Sequence, residues 1–153
     1  MTIIPGDLDD PRVIELLATH LMTARAQTAP GSAHALDLLG LRSPDVRFWT
    51  AWEGGDLLGT AALKRLSPTH GEVKSMHTAE AHRRRGVARA LLQHLIEAAR
   101  ADGLERLSLE TGSSAYFAPA RALYAGFCFR ECPPFGNYVL DPNSVFMSLV
   151  LGQ

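Results

Sequence analysis

Apolar positions along this chain follow two periods, and the changes between them divide it into elements. Apolar residues that alternate with polar ones, or that form short runs, predict strands, whereas apolar residues three or four positions apart predict helices. The predicted strands are 2–4, 46–53, 56–66, 72–78, 107–110, 127–131 and 145–151. The predicted helices are one from Pro11 to a break at 29–32, a short one over 35–41, and two more over 86–101 and 118–125. This order is typical of a mixed α/β domain.

Capping and turn residues agree with these boundaries. Asp10 is a suitable N-cap residue, and Pro11 suits the first turn of the helix that follows. Gly54-Gly55 predicts a hairpin turn between the second and third strands. Gly103 is expected to stop the helix over 86–101, because glycine readily takes the left-handed conformation that ends many helices.

Length and composition indicate one globular domain over residues 1–153. Hydrophobic residues make up 46% of the chain, charged residues 20%, and the net charge is −1. This balance gives no support for a general attraction to nucleic acid or to an anionic membrane. The spacing of Cys128 and Cys132 does not fit a zinc site, so both are expected as reduced thiols. Because there is no signal-peptide pattern and no long apolar stretch, we expect the protein in the cytoplasm.

The strongest chemical signal is the run Arg83-Arg84-Arg85-Gly86-Val87-Ala88, which lies between the predicted strand 72–78 and a predicted helix. A turn of small residues that opens a helix directs several free backbone N–H groups toward one point. The helix dipole and the flanking arginines add positive potential there. The turn therefore predicts a binding site for a pyrophosphate.

Two other phosphate-binding turns fit this run less well. The dinucleotide fingerprint needs three spaced glycines near the first strand of a βαβ unit, with an acidic residue about 20 residues further on. Here the turn lies in the middle of the chain and has one glycine beside three arginines. A P-loop is also a poor match, because no Gly-Lys-Ser/Thr follows the turn.

Arg83-x-x-Gly86-x-Ala88 matches the Gln/Arg-x-x-Gly-x-Gly/Ala signature of the GNAT superfamily of N-acetyltransferases, and the chain resembles that superfamily over residues 46–129. The strand before the motif, the amphipathic helix after it and the later Ala122-Leu123-Tyr124 come in the superfamily's order. The resemblance implies a central, mostly antiparallel twisted sheet of six to seven strands flanked by about four helices. Two further segments resemble those of small bacterial acetyltransferases, namely 71–76 and 108–112.

The resemblance also implies the reaction and its co-substrate. An acetyl group would pass from acetyl-CoA, without a metal, to a primary amine of a small molecule or peptide in a ternary complex. The CoA pyrophosphate would lie on the backbone N–H groups around Arg85, Gly86, Val87 and Ala88. Charge-assisted bonds would come from the side chains of Arg83, Arg84 and Arg89.

In this family the strand before the motif is splayed, and its backbone pairs with the pantetheine arm of CoA. Met76, His77 and Thr78 occupy those positions in this chain. A backbone N–H near Met76 or His77 would stabilise the negative oxygen of the tetrahedral intermediate.

Tyr124 and Glu72 are the catalytic candidates. Tyr124 matches the family's tyrosine, which would protonate the departing CoA thiolate; the alternative is a core aromatic residue. Glu72 would take a proton from the acceptor's ammonium group, usually through water; the alternative is an ordinary exposed carboxylate at the start of a strand. Glu110 is the reserve candidate for the base or for anchoring the acceptor, and His34 and His77 are further options. The loop 134–143 would complete the acceptor site.

The chain departs from the family pattern at two positions. Cys128-Phe129 stands where the family often has Gly-Phe, which leaves the turn after that helix open, and Phe117 replaces a frequent asparagine. A second hypothesis is a CoA-binding regulatory module without catalysis, against which the retained Tyr124 argues. A third is nucleic-acid binding through the arginine run, which the net charge opposes. A homodimer is common in the family, and nothing in the sequence decides this point.

Overall fold

A computed structural model describes residues 1–29 and 37–152. His34 and the start of the predicted helix over 35–41 lie outside these residues. The strands are β1 (Thr2–Pro5), β2 (Val46–Glu53), β3 (Asp56–Arg65), β4 (His70–Thr78), β5 (Arg106–Gly112), β6 (Arg130–Glu131) and β7 (Ser144–Val150). The helices are α1 (Pro11–Ala26), α2 (Leu38–Leu41), α3 (Val87–Ala101) and α4 (Ala118–Gly126), with single 3₁₀ turns at Glu80–His82 and Ala115–Phe117.

The seven strands form one sheet in the order β1-β2-β3-β4-β5-β7-β6. Every neighbouring pair is antiparallel except β4 and β5, which are parallel and are connected through α3. The mixed α/β class, the mostly antiparallel sheet and the four helices expected from the sequence are therefore confirmed within the described residues. No helix among those residues has both the length and the apolar character needed to cross a bilayer.

Local signals explain where the two long helices begin and which side they bury. The Asp10 carboxylate accepts a hydrogen bond of 2.9 Å from the Arg12 N–H and so caps α1, and Pro11 fills its first position. The apolar residues of α3 recur at helical spacing and face the sheet. The buried residues of α3 are Val87, Leu91, Leu92, Leu95, Ile96 and Ala99.

The two faces of the sheet differ in what covers them. On one face, α3 packs against apolar residues of the central strands, including Leu63, Val73 and Leu107. On the other face, α1 packs over the first half of the sheet, where Phe48 and Ala62 are buried with it. Further along the sheet, this second face consists of a row of polar residues. Lys74 belongs to it because it pairs with Ala62, which lies on the same face. The row comprises His70, Glu72, Lys74, Ser108, Glu110 and Ser148.

The segment 132–143 covers this polar row in place of a helix. Its Phe135 ring lies 6.0 Å from the ring of Phe146 on β7, and 5.8 Å from the ring of His70 on β4. Its Tyr138 hydroxyl reaches Glu72 on β4 at 2.6 Å. The covering segment, as we call residues 132–143, thus closes a polar half of the sheet with aromatic side chains.

The parallel strands β4 and β5 part after a short stretch of pairing. They pair from His70↔Arg106 to Glu72↔Ser108, and then continue to Thr78 and Gly112 without pairing to each other. The pairing of β4 with β3 also shifts between Thr60 and Ala62. This shift is a β-bulge at Ser75 and Met76, and Ser75 takes a positive φ of 51° there. The sheet therefore opens between β4 and β5 beside the bulge.

The predicted strand over 127–131 is wrong for its first three residues, and only Arg130–Glu131 pair in the sheet. Residues 127–129 instead complete the end of α4. The Cys128 N–H donates to the Ala125 carbonyl at 3.0 Å, and the Phe129 N–H donates to the Tyr124 carbonyl at 3.1 Å. These two bonds form a Schellman motif that places Cys128 in the left-handed region, with φ 72°. The apolar residues at 127–129 led to a strand prediction because the cap at the end of a helix and a buried strand both contain apolar residues.

Substitution of Cys128 by glycine should raise the free energy of unfolding by about 1 kcal/mol, because glycine takes a left-handed conformation without the steric cost of a Cβ. Helix α3 offers the matched control, since it ends in the same pair of bonds around Gly103, with φ 79°. Gly103→Ala should lower stability by about the same amount. Urea unfolding of both variants checks the pair, and a Cys128→Gly variant no more stable than the wild type contradicts it.

Candidate functional site

The arginine-rich run forms a strained turn that opens directly into α3. Arg84 and Gly86 both take positive φ values, 64° and 79°. Gly86 is the N-cap of α3, and no side chain of the described residues caps the helix there. The first N–H groups of α3 therefore stay available to a ligand, with the positive end of the helix dipole behind them.

The arginines of this turn do not all point the same way. Arg83, Arg84 and Arg89 line a cavity in front of the turn, and the Arg89 guanidinium lies 5.3 Å from the centre of the Phe127 ring. The Arg85 side chain is instead bonded to Glu53 at 3.3 Å and to His82 at 2.8 Å. The side chain of Arg85 therefore lies away from the cavity, and its backbone remains part of the turn.

The cavity in front of the turn has a volume of about 610 Å³. It extends from the turn along the C-terminal end of β4 to the face of α4. All the residues of the motif except Arg85 line it, as do Met76, His77 and Thr78. Its far wall is formed by Tyr116, Phe117, Pro119, Ala120, Leu123 and Tyr124. An elongated ligand could thus contact the helix N-terminus at one end and Tyr124 at the other.

A second cavity, of about 160 Å³, lies on the other side of the opening in the sheet. Its lining carries three charged residues, Glu72, Lys74 and Glu110, together with Tyr138 of the covering segment. The two cavities meet at the parting of β4 and β5, because they share several lining residues. The shared residues are His20, Ala24, Met76, Phe117, Ala120 and Tyr124.

Tyr124 lies at this junction and is 6% exposed. Its ring contacts the ring of Phe129 edge to face, at 5.6 Å between centres. Burial raises the pKa of Tyr124 far above its ordinary value, so its hydroxyl keeps its proton at any physiological pH. A protonated phenol at the meeting point of two cavities can donate a hydrogen bond or a proton to a group that arrives from either side.

Glu72 is buried, with 4% of its surface exposed, so the alternative of an ordinary exposed carboxylate is wrong. Its Oε2 accepts a hydrogen bond of 2.6 Å from the Tyr138 hydroxyl and lies 3.4 Å from the Lys74 ammonium. Lys74 also donates to the Tyr138 oxygen at 2.9 Å. Burial, and next the charge of Glu72, raise the pKa of Tyr138 far above its ordinary value, so this phenol also remains a donor.

Glu110 lies on β5 beside Glu72, since Ser108 pairs with Glu72 and residues two apart on a strand share a face. Its carboxylate accepts a hydrogen bond of 2.8 Å from the Ser144 hydroxyl. The reserve candidate of the sequence thus lines the same cavity as Glu72.

Two histidines form a pair at the edge of both cavities. The rings of His20 on α1 and His77 on β4 lie 4.7 Å apart between centres. Burial lowers the pKa of His20 to about 4. Burial also lowers the pKa of His77 to about 4, helped by the charges of His20 and Arg83. Both rings are therefore neutral at pH 7.

Sequence reasoning did not name His20, Lys74 or Tyr138, which all line the site, although it placed the loop 134–143, and so the segment that carries Tyr138, at the acceptor site. Lys74 carried a signal, because it follows Glu72 by two positions and so shares its face of β4. His20 lies on the predicted first helix with no neighbour in sequence that would indicate a site. Tyr138 lies in a Pro- and Gly-containing segment without periodicity, where no pattern predicts a partner 66 residues away.

Comparison with known proteins gives one consistent result. The model of the Acetyltransferase (GNAT) family matches residues 14–127. The chain is 53% identical over 142 residues to YsnE, an uncharacterized N-acetyltransferase of Bacillus subtilis, with 93% of this chain and 94% of that protein covered. It is 48% identical over 150 residues to YedL, an uncharacterized N-acetyltransferase of Escherichia coli, with 98% and 94% covered.

A solved structure has the same fold. The crystal structure of a GNAT family acetyltransferase from Elizabethkingia anophelis, with acetyl-CoA bound, matches with a TM-score of 0.70 at 18% identity, and 97% of each chain is covered. At that identity the likeness concerns the fold alone. In the part of this chain that the structure describes, no group of three or more His, Cys, Asp or Glu residues could hold a metal ion.

The histidine pair predicts a loss of stability in mild acid. Each histidine has a pKa of about 4 in the fold against an ordinary 6.5, so the unfolded chain binds more protons between these values. The contribution is complete above pH 6.5 and is lost as the pH falls to about 4. Between pH 7 and pH 5 each histidine accounts for about 2 kcal/mol, so the wild type should lose about 3 to 4 kcal/mol more than the double variant His20→Asn/His77→Asn. Urea unfolding at both pH values measures this difference, and equal losses contradict it.

Proposed function

The chain belongs to the GNAT family of acetyltransferases, and on that premise we propose that it transfers an acetyl group from acetyl-CoA to a primary amine by direct transfer in a ternary complex. The observation that carries this proposal is the meeting of two unlike cavities at Tyr124. The larger cavity begins at an uncapped helix N-terminus among arginines, and the smaller one contains two carboxylates. The first suits a long phosphorylated thioester, and the second suits an ammonium group.

The described residues fit CoA at the level of charge and space. The pyrophosphate would bind the backbone N–H groups of the turn, including Gly86, whose missing side chain leaves the approach open. Three guanidinium groups, those of Arg83, Arg84 and Arg89, would add charge-assisted bonds. The arm would follow β4 past Thr78 and His77 toward Tyr124.

The proposed transfer needs a base, an oxyanion donor and an acid. Glu72 takes a proton from the acceptor's ammonium, directly or through water, and the freed amine attacks the carbonyl carbon of the thioester. A backbone N–H at the β-bulge, near Met76 or His77, stabilises the resulting oxyanion. The C–N bond formed in the attack is kept and the C–S bond breaks, with Tyr124 giving its proton to the departing thiolate. The nitrogen loses its second proton in this collapse, and that proton, passed through solvent, restores the Tyr124 hydroxyl, so one proton is released overall on Glu72.

The acceptor is a cationic amine of a small molecule or of a peptide terminus or side chain. The cavity of about 160 Å³ has room for one such group, and Glu72 and Glu110 give it negative charge. In this proposal residues 1–153 work as one catalytic domain in the cytoplasm, where both free cysteines stay reduced. The alternative function, a CoA-binding module without catalysis, keeps the larger cavity and leaves Tyr124 and Glu72 without a role.

Substitution of Gly86 by glutamate should abolish binding of acetyl-CoA, because it puts bulk and negative charge where the pyrophosphate would lie. Gly54→Glu is the matched control, since Gly54 has a similar φ of 59° and equally open space but lies in the β2–β3 hairpin. Calorimetric titration should give micromolar affinity for the wild type and for the control, with none for NADH or ATP. Retained affinity in Gly86→Glu means that the site is misplaced, and no binding to the wild type overturns the proposed function.

Substitution of Tyr124 by phenylalanine should lower kcat by at least about tenfold and leave the affinity for acetyl-CoA nearly intact, because only the proton donor is removed. The phenylalanine ring can keep the edge contact with Phe129, so we expect the variant to fold as the wild type does. The assay follows thiol release with an amine selected by screening the wild-type enzyme. If kcat of the variant is unchanged, Tyr124 is not the proton donor and has only a packing role.

A further inference from the structure

The covering segment places the hydroxyl of Tyr138 on the candidate base. The Tyr138 hydroxyl donates to Glu72 Oε2 at 2.6 Å, which is short for a bond between these groups. The Lys74 ammonium contacts the same oxygen at 3.4 Å and the Tyr138 oxygen at 2.9 Å. The other carboxylate oxygen, Oε1, receives no hydrogen bond from the described residues. The three polar groups thus form a closed triangle on one side of the carboxylate.

We propose that Tyr138 and Lys74 are positioning residues for Glu72: by binding Oε2 they keep the carboxylate ionised and present Oε1 to the acceptor's ammonium. This inference rests on the proposed function in one respect, namely that Glu72 is the base. Donors that bind only the ionised form of a carboxylate hold it in that form. Fixing one oxygen also fixes the plane of the carboxylate, and with it the direction from which the other oxygen accepts a proton.

Tyr138 can do this because its own ring is held in place. The ring lies 5.2 Å from the ring of Phe135 and 5.6 Å from the ring of Phe146, measured between centres. The Lys74 ammonium lies 5.6 Å from the centre of the same ring. Aromatic neighbours on two sides hold the ring in the position from which its hydroxyl bonds Glu72. Removal of the hydroxyl alone leaves all the ring contacts in place.

Other charged and titratable groups also surround Glu72. Glu110 on the neighbouring strand is a second carboxylate in the same cavity. Lys64 pairs across from Glu72 in the register, and His20 is neutral at pH 7. Among residues 1–29 and 37–152, the titratable groups that face Glu72 are Lys64 of β3, His70 and Lys74 of β4, Glu110 of β5, Tyr138 of the covering segment and His20 of α1.

The test follows the ionisation of Glu72 directly and needs no acceptor. In protein labelled with ¹³C at the glutamate side-chain carboxyl, the chemical shift of Glu72 is recorded against pH, and the missing signal in Glu72→Gln assigns it. In Tyr138→Phe the midpoint of this titration should move to higher pH by about one unit, because a charge-assisted hydrogen bond to the ionised form is lost. Lys74→Met should move it in the same direction, and Lys74→Arg should restore it.

Leu140→Ala is the matched control, since Leu140 lies in the covering segment but is 84% exposed. Its midpoint should equal that of the wild type. An unchanged midpoint in both Tyr138→Phe and Lys74→Met overturns the inference. If one of these variants does not fold, as judged by thermal unfolding, the other decides.

A kinetic measurement separates the inference from the proposed function. With an accepted amine, the acidic limb of kcat/KM for Tyr138→Phe should move with the NMR midpoint, while KM for acetyl-CoA stays within about twofold. Glu72→Gln should lower kcat by at least about a hundredfold. If Glu72→Gln loses activity but the acidic limb of Tyr138→Phe does not move, the positioning role is wrong and Glu72 remains the base. Full activity in Glu72→Gln removes the base itself, and with it the role of both positioning residues.

Discussion

The parting of β4 and β5 is the constraint on which the rest of the site depends. Two parallel strands that stayed paired to their ends would close the sheet with backbone hydrogen bonds and separate its two faces. Here pairing stops at Glu72↔Ser108, and the bulge at Ser75 turns β4 away from β5. The larger cavity and the acidic cavity can therefore meet at the gap, and α4 can put Tyr124 at that meeting point.

Backbone strain is concentrated around the same gap. The non-glycine residues with positive φ among the described residues are Ser75, Arg84 and Cys128. Ser75 makes the bulge, Arg84 shapes the turn before α3, and Cys128 ends the helix that carries Tyr124. Each such conformation costs on the order of 1 kcal/mol, and residues of this kind persist where surrounding packing determines the backbone. The three strained residues thus set the positions of β4, of the turn before α3 and of the end of α4, which form the walls of the site.

Most of the fold could be predicted from the sequence, and the site only in part. Apolar periods and caps such as Asp10 are local signals, so the strands and helices followed from them, and the family motif located the turn before α3. The run over 127–129 was misjudged because helix caps and strands share apolar residues. Whether Glu72 was exposed could not be decided from alternation, since a strand face can meet either water or a covering segment. Only the fold reveals that Tyr138 covers it.

The covering segment provides polar partners for the buried carboxylate of Glu72. A carboxylate taken out of water beside a second carboxylate is costly unless partners in good geometry surround it. A helix packed over the polar row would exclude water and bring apolar side chains, which could not pair with Glu72. An irregular segment can instead bend until one phenol meets the carboxylate, while Phe135 and Phe146 hold that phenol in place. The cost of burying a charged base is thus met once, during folding, and the acceptor meets a carboxylate that is already oriented.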